Sequence, residues 1–163
     1  METSEVTVRY REAAETGDVD LALSTFAHEA VVRSPLTNRV SFTGHGQLRE
    51  LLTVAFEHLE DVRFHTDIGD EHTRVVIYRA TVRGEDVEEA TLLKLEEGLI
   101  VEATLFVRTL PGTVAMMDAF GPGIARRNGR PWAARLLSVL SKPLLGMVRG
   151  GDRFAVPLAG PKR

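Results

Sequence analysis

The stretch RVVIYRATVRGEDVEEATLLKLEEGLIVEATLFVRTL, residues 74–110, decides the fold. β-branched and apolar residues fill three runs, 74–83, 87–95 and 99–110. The segments Arg83-Gly84-Glu85-Asp86 and Glu96-Glu97-Gly98 separate them as hairpin turns. Just upstream, Val62, Phe64 and Thr66 alternate with polar or charged neighbours, so a fourth strand precedes the three. The runs 75–82 and 99–107 carry apolar residues on both faces. One face is expected to meet helices, and the other a second subunit or the C-terminal segment.

Toward the N-terminus the period becomes helical. Residues 4–16 read as a helix that Ser4 can cap, with Val6, Val8, Tyr10, Ala13 and Ala14 as a loose apolar stripe. Gly17 suits a left-handed C-terminal position and Asp18 a following N-cap. A second helix is expected over 19–27, a short strand over 30–34 stopped by Pro35, and an extended piece around Val40 and Phe42. Leu48, Leu51, Leu52, Ala55, Phe56 and Leu59 predict a third helix over 46–59. Helices followed by a strand meander are the layout of an α+β domain.

Toward the C-terminus, Pro111-Gly112 closes the unit. A helix over 113–120 is expected to break at Gly121-Pro122-Gly123, and Asn128-Gly129 marks another turn. Residues 132–148 are apolar, with Arg135, Lys142 and Arg149 seven apart and so on one side, and Pro143 is expected to kink or break them. Residues 1–112 and 113–163 thus read as a core domain and a basic, largely helical extension.

A chain of 163 residues is long enough for one domain with a true core. It has no cysteine, which excludes disulfides, thiolate metal sites and a cysteine nucleophile. The first residues lack a basic start and an apolar run, and no stretch is apolar enough to span a bilayer, so a cytoplasmic protein is expected. The net charge of −3 divides unevenly: residues 113–163 hold nine basic and two acidic side chains, or +7, and the rest sum to −10. Opposite charges favour docking of the extension on the body or on a partner subunit. Its cations lack interleaved aromatics apart from Trp132 and Phe154, which speaks against nucleic acid. A cap on the domain or a bridge to a partner is the favoured role of the extension, and contact with a membrane surface stays open.

Tyr10, then Thr16-Gly17-Asp18, Phe26-Ala27-His28-Glu29-Ala30, Ser34-Pro35 and Gly44 follow one another as in the opening of a nuclear-transport-factor-two-like, or SnoaL-like, domain. Leu95-Glu96-Glu97-Gly98-Leu99-Ile100-Val101-Glu102 resembles the last hairpin of that superfamily, and Phe106-Val107-Arg108 its final strand. The resemblance covers about residues 4–110. It implies a conical half-barrel, a curved mixed sheet wrapped around helices with a deep cavity, and a homodimer through the outer sheet face. No cofactor or metal is expected. The stretch from Arg9-Tyr10 to Ser34-Pro35 matches ketosteroid isomerases without a gap. There Tyr10 falls on the tyrosine that donates to the enolate, Ser34 on the general-base aspartate, and Thr91 near the second oxyanion donor. Both carboxyls are lost. A serine without an activating base does not abstract a proton next to a carbonyl, so ketosteroid isomerase chemistry is not expected.

The expected ligand is a small hydrophobic molecule, polyketide-, terpene- or steroid-like, in a pocket lined by Tyr10, Phe26, Ser34, Leu36, Phe56, Phe64, Tyr78, Thr91 and Leu105. Two readings compete. In one the chain is an isomerase, lyase or hydrolase, with Tyr10 as acid and Glu89, or a histidine, as base. Glu89 shares a strand face with Thr91, and burial would raise its pKa. In the other, Glu88 and Glu89 lie in solvent, and the chain is a scaffold whose cavity its own tail fills. Arg79 is expected inside with Glu102 as partner. His45, between two glycines at a helix start, is the histidine to test. No two histidines have the close spacing of a metal site on one element.

Overall fold

The structure is a computed structural model that describes residues 5–161. The proposed cap Ser4 lies outside the described residues. The elements run α1 Glu5–Thr16, α2 Val19–Leu23, β1 Phe26–Arg33, β2 Ser41–Thr43, α3 Gly44–His58, β3 Glu60–Gly69, β4 Thr73–Val82, β5 Glu85–Glu96, β6 Leu99–Arg108, α4 Leu110–Arg127 and α5 Pro131–Gly150. A π-helical turn, Gly151–Ala155, and a 3-10 turn, Val156–Ala159, follow.

The four-strand meander is formed as its sequence predicts. Arg83-Gly84 and Glu97-Gly98 both adopt positive φ, 53° and 76° in the first pair and 50° and 74° in the second. Two consecutive left-handed residues give the tight turn whose twist matches that of the strands. The first turn sets the register that pairs Val82 with Glu85 and Tyr78 with Glu89. β1 joins β6 in parallel and β2 closes that side, giving a curved six-stranded sheet in the order β2-β1-β6-β5-β4-β3.

Alternation along each strand divides the sheet into two faces. Val76, Tyr78, Ala80 and Val82 of β4, and Val87, Glu89, Thr91, Leu93 and Leu95 of β5, are buried against the helices. Ile77, Leu92 and Phe106 point the other way, and Phe106 is 57 % exposed. Arg79 also lies on this outer face, 74 % exposed along its side chain, where it pairs with Glu88 at 3.0 Å. The expected buried Arg79–Glu102 pair is therefore not formed. Register sets Arg79 opposite Glu88, and Glu102 instead receives Arg33 and Lys94, both at 2.9 Å. The buried ion pair sits elsewhere, between Arg74 and Asp67 at 2.8 Å.

Gly17 (φ +74°) ends α1, and the carboxylate of Asp18 caps α2 by accepting from the Leu21 amide at 2.9 Å. The second helix is shorter than its pattern suggested. Ser24 and Thr25 turn their hydroxyls back onto the carbonyls of Leu21 and Ala22, and Phe26 enters the sheet opposite Ile100. Side-chain bonds of this kind compete with helix continuation.

The extension differs most from expectation. α4 runs unbroken through Gly121-Pro122-Gly123, and α5 runs unbroken through Pro143. Gly123 is there for contact rather than for a turn: a Cβ on it would stand 3.0 Å from the Val54 side chain of α3. Pro143 lies on the exposed side of α5, as does Val139 one turn before it, so the backbone bond that a proline cannot make falls on the outer side of the helix. α4 buries Val114, Ala115, Met116 and Ala119 against the sheet, each large side chain worth roughly 1.5–3 kcal/mol. α5 packs on α4, and the hydroxyl of Ser141 donates to the carboxylate of Asp118 at 2.5 Å. The charge asymmetry is used at these contacts. Arg127 reaches Glu50 and Glu57 of α3 at 2.9 and 3.2 Å, and Arg149 pairs with Glu85. No helix among the described residues is long and apolar enough to cross a membrane.

Candidate functional site

Between the inner sheet face and the helices lies a cavity of about 460 Å³. α1 contributes Tyr10, β1 contributes Phe26 and Val32, and α3 offers Leu48, Leu52 and Phe56. Tyr78, Glu89 and Leu105 come from the sheet. The far wall is built by the extension, with Met116, Phe120 and Ile124 from α4 and Ala133 and Leu137 from α5. With both helices in place the space stays open, so the tail walls the cavity and does not fill it.

Of the residues singled out from the sequence, Tyr10, Phe26, Ser34, Leu36, Phe56, Tyr78 and Leu105 border the cavity, and Glu89 joins them. Phe64 and Thr91 do not. The ring of Phe64 lies behind those of Tyr10 and Tyr78, at centroid distances of 6.2 and 5.2 Å. Thr91 is fully buried and donates to Glu89 at 3.0 Å. Ser34 spends its hydroxyl on the turn that follows β1, accepting from the Leu36 amide at 3.1 Å. His45 is set apart from the cavity wall, its Nε2 3.0 Å from the Phe26 carbonyl oxygen. No group of three metal-ligating side chains comes together among the described residues.

Glu89 is the chemical centre of the wall. It is 3 % exposed, and burial raises its pKa from 4.5 to about 7, against the pull of hydrogen bonds from Thr91 and Tyr78. Desolvation disfavours a carboxylate, and donors restore part of the loss. Tyr10 and Tyr78 shift upward as well, first through burial and then through the nearby Glu89 charge, so both phenols stay protonated and able to donate. The hydroxyl of Thr91 also contacts the Tyr10 phenol. The four side chains form one chain, Tyr10–Thr91–Glu89–Tyr78, with its acidic member at the edge of an apolar space. Such a group gives up and regains a proton near neutral pH.

Sequence reasoning missed two things. From the sequence Tyr78 is expected only as a liner, although counting four steps out from the Arg83-Gly84 turn pairs it with Glu89. The α4 and α5 residues of the wall, with Asn128 and Arg130 between them, were also missed. Ala133 and Leu137, four apart on α5, were the available signal.

No curated protein is significantly similar to the chain in sequence. Solved structures are similar in fold. An uncharacterized conserved bacterial protein with a cystatin-like fold from Silicibacter pomeroyi aligns with a TM-score of 0.71 and 21% identity, covering 80% of this chain and 94% of the other. A steroid delta-isomerase from Pseudomonas aeruginosa aligns at 0.64 and 20% identity, over 78% and 92% of the two chains. A hypothetical protein with a ketosteroid isomerase-like fold from Catenulispora acidiphila, in complex with trimethylamine, aligns at 0.57 and 16%, over 74% and 95%. Identities this low show a common fold alone. In sequence, the model of the SnoaL-like domain matches residues 7–103, more than half of the chain, and the chain therefore belongs to the SnoaL-like domain family.

Proposed function

We propose that the chain binds a small, mostly hydrophobic carbonyl compound in the cavity and moves a proton on it with Glu89. One observation carries the reading: a single buried carboxyl stands in the wall of an apolar space, where burial pushes its pKa up to about 7. A general base works best when its pKa lies near the working pH. Tyr10 lines the same space and donates to the carbonyl oxygen as negative charge develops there. Glu89 takes a proton from the carbon beside that carbonyl and returns it elsewhere on the molecule, which is isomerase-type chemistry. Loss of a leaving group instead gives a lyase. The base thus stands on β5 rather than at Ser34, where ketosteroid isomerases carry theirs. A polyketide-, terpene- or steroid-like body fits the hydrocarbon lining. A scaffold role with the cavity filled by the tail is disfavoured by the open volume of about 460 Å³.

The outer sheet face, where Ile77 and Leu92 are half-buried and Phe106 is exposed, is where a second copy packs in this reading.

The test is proton exchange. In D₂O, wild-type protein should incorporate deuterium next to the carbonyl of a cyclic β,γ-unsaturated ketone. Glu89→Gln should slow incorporation by about 10²–10⁴-fold. A melting-temperature screen over apolar ketones should register binding in both proteins. An unchanged exchange rate in Glu89→Gln, or no ligand that shifts the melting temperature, sinks the proposal.

A further inference from the structure

The helix that closes the cavity has a second apolar face with nothing on it. Ala134, Ser141 and Leu145 of α5 are buried against the rest of the fold. On the opposite side Trp132, Leu136, Val139, Leu140 and Met147 recur at three-, four- and seven-residue steps and face outward, Trp132 at 69 % and Met147 at 73 % exposure. Phe154, Val156 and Leu158 extend the uncovered hydrocarbon past the helix end. A helix that is apolar around most of its circumference calls for a second apolar environment.

The charges beside this face indicate what that environment is. Arg135, Lys142 and Arg149 line one edge, seven apart, and α5 contains no acidic residue. Arg149 is engaged with Glu85, but Arg130, Arg135, Lys142 and Arg153 form no ion pair among the described residues. Pairing α5 with α5 of a second copy would bring cations against cations with no carboxylate to answer them. An anionic lipid surface answers both features: its headgroups neutralise the cations, and its acyl boundary takes up the apolar face.

We infer that α5 and the turns after it dock the protein flat on an anionic phospholipid bilayer. Trp132, Leu136, Leu140 and Met147 enter the acyl boundary, and Arg135, Lys142 and Arg153 lie at the headgroups. The contact also brings the cavity to the lipid surface. Ala133 and Leu137 line it from the same helix, and Leu36 and Val40 border it while remaining half-exposed to the outside.

Trp132 is the only tryptophan in the chain, so its fluorescence reports on this face alone. The full chain is titrated with vesicles of phosphatidylcholine containing phosphatidylglycerol, and with vesicles of phosphatidylcholine only. The anionic vesicles should shift the emission to the blue and carry the protein with them on flotation, and added salt should reverse both. Arg135→Gln, Lys142→Gln and Arg153→Gln together should weaken partitioning on the order of 100-fold, about fivefold for each cation. Met147→Gln with Leu140→Gln should abolish the blue shift, and circular dichroism checks that each variant keeps its fold. Equal uptake by both kinds of vesicle overturns the anionic docking. So does the absence of uptake, including the case where ultracentrifugation shows these same substitutions breaking up an oligomer.

Discussion

Tyr78 and Glu89 stand opposite each other in the β4–β5 ladder and share a hydrogen bond at the edge of the cavity. The bond favours the ionised carboxyl, burial opposes it, and burial wins, leaving Glu89 at about 7.

That balance makes stability depend on pH. The unfolded carboxyl titrates near 4.5 and the folded one at about 7. Between these values the folded state holds a proton that the unfolded state has lost, so stability falls as pH rises through the window and levels off above it. The full loss is about 3 kcal/mol. In Glu89→Gln this decline should vanish, and urea melts of the two proteins at pH 4.5 and pH 8 measure it. A wild-type decline that persists in the variant would contradict the assignment.

The two tyrosines should separate in their effects. Tyr78→Phe removes a donor to the carboxylate, so the Glu89 pKa should rise above about 7, visible in a carbon NMR titration of the side chain. Tyr10→Phe leaves the hydrogen bonds to Glu89 in place. It should slow proton exchange by about tenfold or more with little movement of the titration.

Two glycines of α4 should respond with opposite sign. A Cβ on Gly121 would meet only the flexible tip of Leu137 at 3.5 Å, so Gly121→Ala should stabilise by about 0.5–1 kcal/mol through helix propensity. A Cβ on Gly123 would press on Val54 from 3.0 Å, and Gly123→Ala should destabilise by about 1–3 kcal/mol. Paired thermal melts decide both.

Phe106→Glu places a charge on the uncovered outer face of β6. If a second copy packs there, gel filtration coupled to light scattering should show the mass falling from dimer to monomer with the melting curve of the monomer preserved. A wild-type protein already monomeric removes the outer face from consideration.

The strands were legible because their information is local. Each turn carries its own signature, and alternation shows which side chains share a face. Glu89 could be placed with Thr91 on that ground, two residues apart, though its burial depends on helices far away in sequence. Arg79 was misjudged because a cation in an apolar run reads as interior, whereas register alone decides its side. Gly121-Pro122-Gly123 reads as a turn because small residues serve both turns and close contacts. Only the position of Val54, sixty-nine residues before Gly123, distinguishes the two. The far wall of the cavity is legible only as a cap that the extension places on the domain; which of its residues face inward depends on the same long-range packing.

That wall lies outside the stretch matched by the family, residues 7–103. Met116, Phe120 and Leu137 restrict the hollow from one flank, while Tyr10 and Glu89 belong to the shared body. If the proposed function holds, the residues that shape the hollow are encoded separately from the carboxyl that does the chemistry. Grafting these last helices onto a relative should transfer its preference for size while leaving its own proton-handling groups untouched.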